Sequence, residues 1–477
     1  MKKYSLILIV LISLVSCKDF LVLQPEEQIS ATTFYQTAND FNTAMVGAYS
    51  GLQLLHNAST IDLGELTTDN IEVTWTSPTT SETECDQVNI TSTNDFVRNV
   101  WTNCFTAISR ANNVLARIES ATFDENLKAQ YRGEALYLRA YCYFYLVQYF
   151  GDLPIVKQTF SSPEEIAAYD MGRKPATEVY AMIIDDLQKS ATNLAAVTSL
   201  KKERASAGAA KTLLGKVYLT RKDYANSATT LKEVIDLNKY TLATSYKSLF
   251  TNGNNNLGET IFEIKYLSGN LGEGNSFSTL FTPFLFNMSI FPGNMTGAGR
   301  LCPTKEIYDT YETGDVRRAA SVGFPVPLSN GKTENSYYGM KFVDFTTGVT
   351  NDGGVNYITL RYADVLLMYA EDLNETGKTT EAHTYLNLVR TRAGVPVVSG
   401  LSKADFSLAL EKERRVEFVF EGMRWFDLVR TGRAQTVLNA YFASKGLNFK
   451  VDAFELLLPI PQSEIDINPK LVQNTGY

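Results

Sequence analysis

Apolar residues recur at three- and four-residue intervals along most of this chain, and the pattern fades in two long polar stretches. The clearest periodic segment runs from Thr359 to Pro396. Ala363, Leu366, Leu367, Ala370 and Leu373 form one stripe, and Gly377 stands where a left-handed residue closes a helix. Thr379 or Thr380 can cap a second helix with the stripe Ala382, Leu386, Val389 and Ala393. Arg390 and Arg392 suit its C-terminal dipole, and Gly394 with Pro396 ends it. The segment reads as two antiparallel helices whose facing alanines allow close approach.

A second hairpin is expected over Ala207–Leu237. Leu214-Gly215, Tyr218 and Tyr224 match tetratricopeptide spacing, with Ser227 where that repeat usually has Ala. Further helices are predicted over Phe34–Leu55, Phe96–Ile118, Arg132–Pro154 and Pro175–Leu194. On the second of these, Trp101, Phe105, Ile108 and Asn112 share one side, so Trp101 reads as core. Aromatic residues wrap most of the third, which predicts burial on nearly all sides. Tyr141, Tyr143 and Tyr145 invite reading as a sugar platform, but such a run inside a helix is better explained as core. Stacked helical pairs would bury a continuous core and leave a surface for partners.

The first polar stretch, Thr67–Asn94, contains Asp69, Asn70 and Trp75 among many Thr and Ser. The second, Asn252–Asn356, is rich in Gly, Asn, Ser and Thr. It clusters Phe277, Phe281, Phe284, Phe286 and Phe291, then Tyr337 and Tyr338. Loops this long inside a compact protein usually carry function. Within the second, Pro303–Arg318 reads as a short helix with a charged end.

Charge and composition narrow the chemistry. The 477 residues carry 44 Lys plus Arg against 52 Asp plus Glu, a formal net charge of -8, with no basic face for nucleic acid. Only two histidines occur, His56 and His383, which removes most His-based catalysis and zinc sites. Lys2 and Lys3 followed by apolar Leu6–Val15 form a targeting segment too short to span a bilayer. It ends in Leu14-Val15-Ser16-Cys17, which resembles a bacterial lipobox with Cys17 as the lipidated residue; several acyl chains there would anchor the chain durably. Cys85, Cys104, Cys142 and Cys302 show no metal-ligand spacing. An exported chain permits disulfides, and a Cys85–Cys104 pair is left open by the sequence. Cys142, in the aromatic helix, reads as a buried hydrophobe.

Catalytic signatures are absent. There is no HExxH, no GxSxG and no EF-hand spacing, and Val326 stands where a phosphate loop before Lys332-Thr333 would need Gly. An irregular calcium site in a loop remains open. In Glu411–Ala434, Arg414, Glu417 and Glu421 are spaced to share a helix face, and Asp427 can pair with Arg424 or Arg430. Two carboxylates on one face raise a glycosidase alternative. Alternating opposite charges on one helix are better explained as ion pairs that lock helices together.

The chain resembles the SusD/RagB family of outer-membrane lipoproteins along nearly its whole length. The resemblance rests on Cys17 with Lys18-Asp19 and Leu21, on Arg139-Ala140-Tyr141, and on Phe150-Gly151-Asp152-Leu153-Pro154. It continues through Arg361 to Ala370-Glu371, Asn387 to Gly394, Glu413-Arg414-Arg415, Glu421 to Arg430, Leu458 to Pro461, Asn468-Pro469 and Gln473-Asn474. Thr475, before Gly476-Tyr477, departs from the Pro common there. The resemblance implies a mostly α, SusD-like fold with minor β, in which four tetratricopeptide-like hairpins support a long loop-rich ligand-binding region. It divides the chain into a signal peptide at 1–16, an N-terminal helical part at 17–240, and a C-terminal part at 241–477 containing the insert 252–356. It implies no enzyme and no cofactor. The expected role is a cell-surface, lipid-anchored binder that delivers oligosaccharide to a SusC-like TonB-dependent transporter, with peptide capture as the alternative. A sugar site needs exposed loop aromatics for the apolar ring face and polar groups for the hydroxyl rim. Trp75, with Asp69 and Asn70 as rim partners, is the leading candidate; Phe277, Phe284, Tyr337 and Tyr338 follow.

Overall fold

The computed structural model describes residues 34–57, 59–198, 201–253, 258–293 and 295–477. Cys17 and the lipobox lie outside these residues. The frame is mostly helical: α1 (Ala38–His56), α2 (Asp95–Ile118), α3 (Glu125–Phe150), α4 (Ala176–Asn193), α5 (Ala207–Thr220), α6 (Tyr224–Asp236), α7 (Tyr362–Glu375) and α8 (Thr379–Arg392). Each packs against the next in this order, so four helical pairs stack in one continuous series. α9 (Lys403–Phe418) closes against α7 and α8, and α10 (Arg424–Arg430) follows it.

Local chemistry explains these elements. Asn94 and Asp124 cap α2 and α3 by accepting backbone N–H groups of the first turn, and Ser206 and Ser402 do the same for α5 and α9. As the aromatic pattern predicts, Tyr137, Tyr141, Tyr143, Tyr149 and Phe150 of α3 are fully enclosed, and Trp101 is buried beside Phe150. Arg139 crosses the stack, donating to both carboxylate oxygens of Asp186 at 2.7 and 2.8 Å and to Asn112 at 2.9 Å. One helix start differs from expectation: Lys378, not a threonine, occupies the N-cap of α8, and the Thr379 hydroxyl donates to Asn374 instead.

The second polar stretch enters and leaves the frame through an antiparallel pair, β1 (Thr260–Ile264) and β2 (Tyr357–Arg361), with Ile264 opposite Tyr357. Between them the chain forms short helices and two-residue strands. Pro303–Arg318 contains two short helices, Lys305–Thr310 and Val316–Ser321, rather than one. Cys85, Cys104, Cys142 and Cys302 are all buried free thiols, so Cys85 and Cys104 are not bridged.

Charges fill the junction of the frame and the insert. Glu417 accepts from Arg361 at 2.6 Å, from Arg317 at 2.8 Å and from Arg392. Arg361 also reaches Glu421 and Glu259, and Lys341 donates to Glu421 at 2.5 Å and to the carbonyls of Glu417 and Val419. Burial alone would raise the Glu417 carboxyl, but Arg392, Arg361 and Arg317 outweigh it and hold it well below the usual carboxylate range. Glu417 and Glu421 are enclosed by these partners, which answers the spacing that raised a glycosidase. They do not share one helix, because α9 ends at Phe418 and both Phe420 and Gly422 take positive φ. Asp427 pairs with Arg430 and with Arg414, whereas Arg424 turns to Asp69.

Candidate functional site

The segment that presents Trp75 is held at its base. A short helical turn, Asp62–Leu66, abuts Gly422 so closely that a Cβ on Gly64 would overlap the Gly422 backbone. Glu65 accepts from the Gly422 N–H at 3.1 Å and from Asn70 at 3.0 Å. Asp69 takes Arg424 at 2.9 and 3.2 Å and Arg415 at 3.0 Å, while Arg415 donates to the Asn70 side chain at 2.8 Å. Asp69 and Asn70 are therefore a latch between the first polar stretch and the C-terminal helices. Both are buried and do not serve as a solvent-facing rim for sugar.

From this latch, Ile71–Glu72 pairs antiparallel with Cys302–Pro303. The N–H groups of Thr74 and Trp75 then donate to the Gly299 carbonyl at 2.8 and 3.0 Å. Gly299 has φ of +65°, and a Cβ there would press on the backbone N of both Phe284 and Trp75. Its N–H donates to Thr282, and that of Leu301 to Leu280, which brings the two polar stretches together.

The result is an aromatic group contributed by both stretches. Trp75 and Phe284 meet edge to face with centroids 3.9 Å apart, and Phe286 follows Phe284 at 5.4 Å. Phe284 is 41% exposed and Phe286 67% exposed, unusual for large apolar side chains, while Trp75 is half-buried. Beside them opens a cleft of about 550 Å³ whose lining includes Ser77, Thr79, Glu82, Thr296 and Arg300. Such a surface offers flat apolar faces beside hydroxyl and charged groups.

The other sequence candidates lie elsewhere. Phe277 is fully buried, stacked on Phe281 at 5.4 Å and against Phe342 and Tyr357, and is core. Tyr338 is buried beneath Gly323 in a two-stranded pair. Tyr337 is half-buried and belongs to a second aromatic group, stacked on Phe324 at 4.4 Å and beside Tyr308. Phe286 lies in a bent segment with no regular periodicity, so only the structure brings it beside Phe284. Arg300 and Glu82 carried no local signal. Among the described residues no group of three or more His, Cys, Asp or Glu side chains is arranged to hold a metal ion.

Comparison with known proteins agrees with this architecture. A SusD family model matches residues 325–477, and a model described as starch-binding associating with outer membrane matches residues 19–219. The chain is similar to the SusD-like protein P2 of Formosa agariphila, 28% identical over the full length of both. It is also similar to a laminarin binding SusD-like protein, with 27% identity, a TM-score of 0.79, and 93% of this chain and 100% of that one covered. Surface glycan-binding protein A from Bacteroides fluxus matches at 26% identity and a TM-score of 0.80, over 93% of this chain and 100% of its own.

Proposed function

The chain belongs to the SusD family, and from that premise we propose that it captures oligosaccharide at the cell surface and delivers it to a SusC-like TonB-dependent outer-membrane transporter. The observation that carries the binding step is the exposed group Trp75, Phe284 and Phe286 at the mouth of a cleft with hydroxyl-bearing walls. A pyranose ring presents C–H groups on its faces and hydroxyls around its edge. The aromatic faces would cover the former while Ser77, Thr79 and Thr296 bond the latter. The glycan-binding names of similar structures support this class of ligand. Lipidation at Cys17 would hold the protein at the membrane, and capture without chemistry fits the enclosure of Glu417 and Glu421.

The test of capture is affinity electrophoresis of residues 18–477 through gels containing single polysaccharides, beside Trp75→Ala. Retardation by one glycan that disappears in the variant is expected. No retardation by any glycan would overturn the reading. Delivery is tested by affinity purification of the lipidated protein from outer membranes, with a TonB-dependent transporter expected alongside it. Loss of membrane association in Cys17→Ala tests the anchor.

A further inference from the structure

Resting on the glycan reading, we infer that the cleft selects neutral oligosaccharides and turns away chains bearing carboxylate or sulfate, and that Glu82 sets this choice. Among the described residues that line the cleft, the charged side chains are Glu82, Asp95 and Arg300. Arg300 is the cation an anionic sugar would need, because carboxylate and sulfate are recognised by charge-assisted, often forked hydrogen bonds from arginine. One edge of its guanidinium is already paired. The Arg300 Nε faces a Glu82 oxygen in an ion pair, Nη2 lies 3.8 Å from Asp62, and the group sits over the Phe96 ring at 5.5 Å.

Glu82 is itself immobile. Its other oxygen accepts the Thr79 N–H at 2.7 Å, and its own N–H donates to the Thr79 hydroxyl at 3.2 Å, a reciprocal cap at the start of the helix Thr80–Gln87. The Glu82 side chain is buried, so the ion pair is poorly screened on that side. Asp95 adds a second negative charge at the rim, partly offset by Arg98 at 2.7 Å with both groups half-exposed to water. Behind Arg300, Asp62 is enclosed with no hydrogen-bond partner for either carboxylate oxygen. Burial pushes its carboxyl up to about 7, against the pull of Arg300 and with the push of Glu82.

An anionic sugar entering this cleft meets two carboxylates, Glu82 and Asp95, and a cation already paired with one of them, and like charges brought together without a partner are a strong means of rejection. A neutral sugar brings no charge against these carboxylates and meets hydroxyls, backbone and aromatic faces beside them. The formal charge of -8 on the whole chain acts in the same direction at long range.

The test runs wild type, Trp75→Ala, Glu82→Gln and Asp95→Asn through gels containing neutral probes (laminarin, glycogen, galactomannan) or anionic probes (alginate, carrageenan) at low salt. Wild type is expected to be retarded by a neutral probe, dependent on Trp75, and by neither anionic one. Glu82→Gln, which leaves Arg300 unneutralised, is expected to gain about tenfold in affinity for an anionic probe. Asp95→Asn, at the exposed rim, should shift the same way by less. Trp75-dependent retardation of wild type by alginate or carrageenan overturns the inference and leaves glycan capture standing. A folded Glu82→Gln that still ignores both anionic probes overturns the role of Glu82. The wild-type comparison does not depend on either charge variant folding, and failure to bind any glycan would overturn capture itself.

Discussion

The ion-pair junction around Arg361 and the aromatic cleft around Trp75 are built from opposite materials. In the junction, Arg317, Arg361, Glu417 and Glu421 are sealed from water and each bonds several partners at 2.5 to 2.9 Å. In the cleft, large apolar rings stand partly in solvent with few packing partners. The residues that give the chain its family resemblance in Glu413–Arg430 serve the first region. They hold helices and latch the first polar stretch. In the proposed function, recognition falls instead to loop residues beyond that latch.

This contrast can be broken most severely at the junction. Glu417→Ala leaves Arg317, Arg361 and Arg392 facing one another without their shared counterion. A loss of about 3–5 kcal/mol is expected, seen in urea denaturation or as loss of soluble protein. An unchanged midpoint would mean that the junction is not what holds the frame. Next, Trp75→Ala should weaken glycan binding at least about tenfold while shifting the denaturation free energy by no more than about 1 kcal/mol. Equal losses of both would erase the division between the two regions.

Gly299→Ala sharpens the comparison from the other side. Its positive φ and its contact with Phe284 and Trp75 predict about 1–2 kcal/mol of strain. Calorimetric titration should show lower affinity with only a modest fall in melting temperature. The smallest net effect is expected from acid, because Asp62 and Glu65, whose carboxyls burial raises to about 7, add stability as pH falls and offset His56. His56 is enclosed beside Tyr141 and stacked on Tyr357, and burial lowers its pKa from 6.5 to about 3. Between those values the unfolded chain binds the extra proton, so His56 costs stability as pH falls below 6.5, by at most about 1.4 kcal/mol per pH unit. Denaturation at pH 7.5, 6 and 5 should show that slope reduced in His56→Gln. The cleft contains no histidine, and a neutral glycan forms no ion pair there, so its affinity should change less over the same range although Asp62 behind Arg300 titrates at about 7.

Much of the frame was legible because helix stripes and caps are local signals. The ends of α2 and α4 and the outer ends of the α5–α6 hairpin fall within a residue of the expected ones, and the aromatic character of α3 correctly announced burial. What escaped is non-local. Asp69 and Asn70 look like rim residues in a polar stretch, yet their partners are Arg415 and Arg424 more than 340 positions away. Glu421 fits a helical spacing that the backbone abandons at Val419, where no proline or glycine gives warning before Gly422. Trp75 and Phe284 were each singled out, but their meeting depends on the Gly299 turn, and nothing local to either residue encodes it. Phe277 has the more polar sequence neighbours and Phe284 the more apolar ones, yet Phe277 is core and Phe284 exposed, so only packing separates them.

The latch between Asp69 and Arg424 has a consequence for how the protein comes into being. The rings of the cleft reside at positions 75 to 286, but the segment bearing Trp75 is fastened by residues near position 420. A chain whose synthesis stops before Arg424 would carry every ring and lack the clasp that fastens the base of the Trp75 segment. On the proposed reading, ligand capture would thus report completion: only a chain made past Arg424, and folded across that span, would present the assembled cleft.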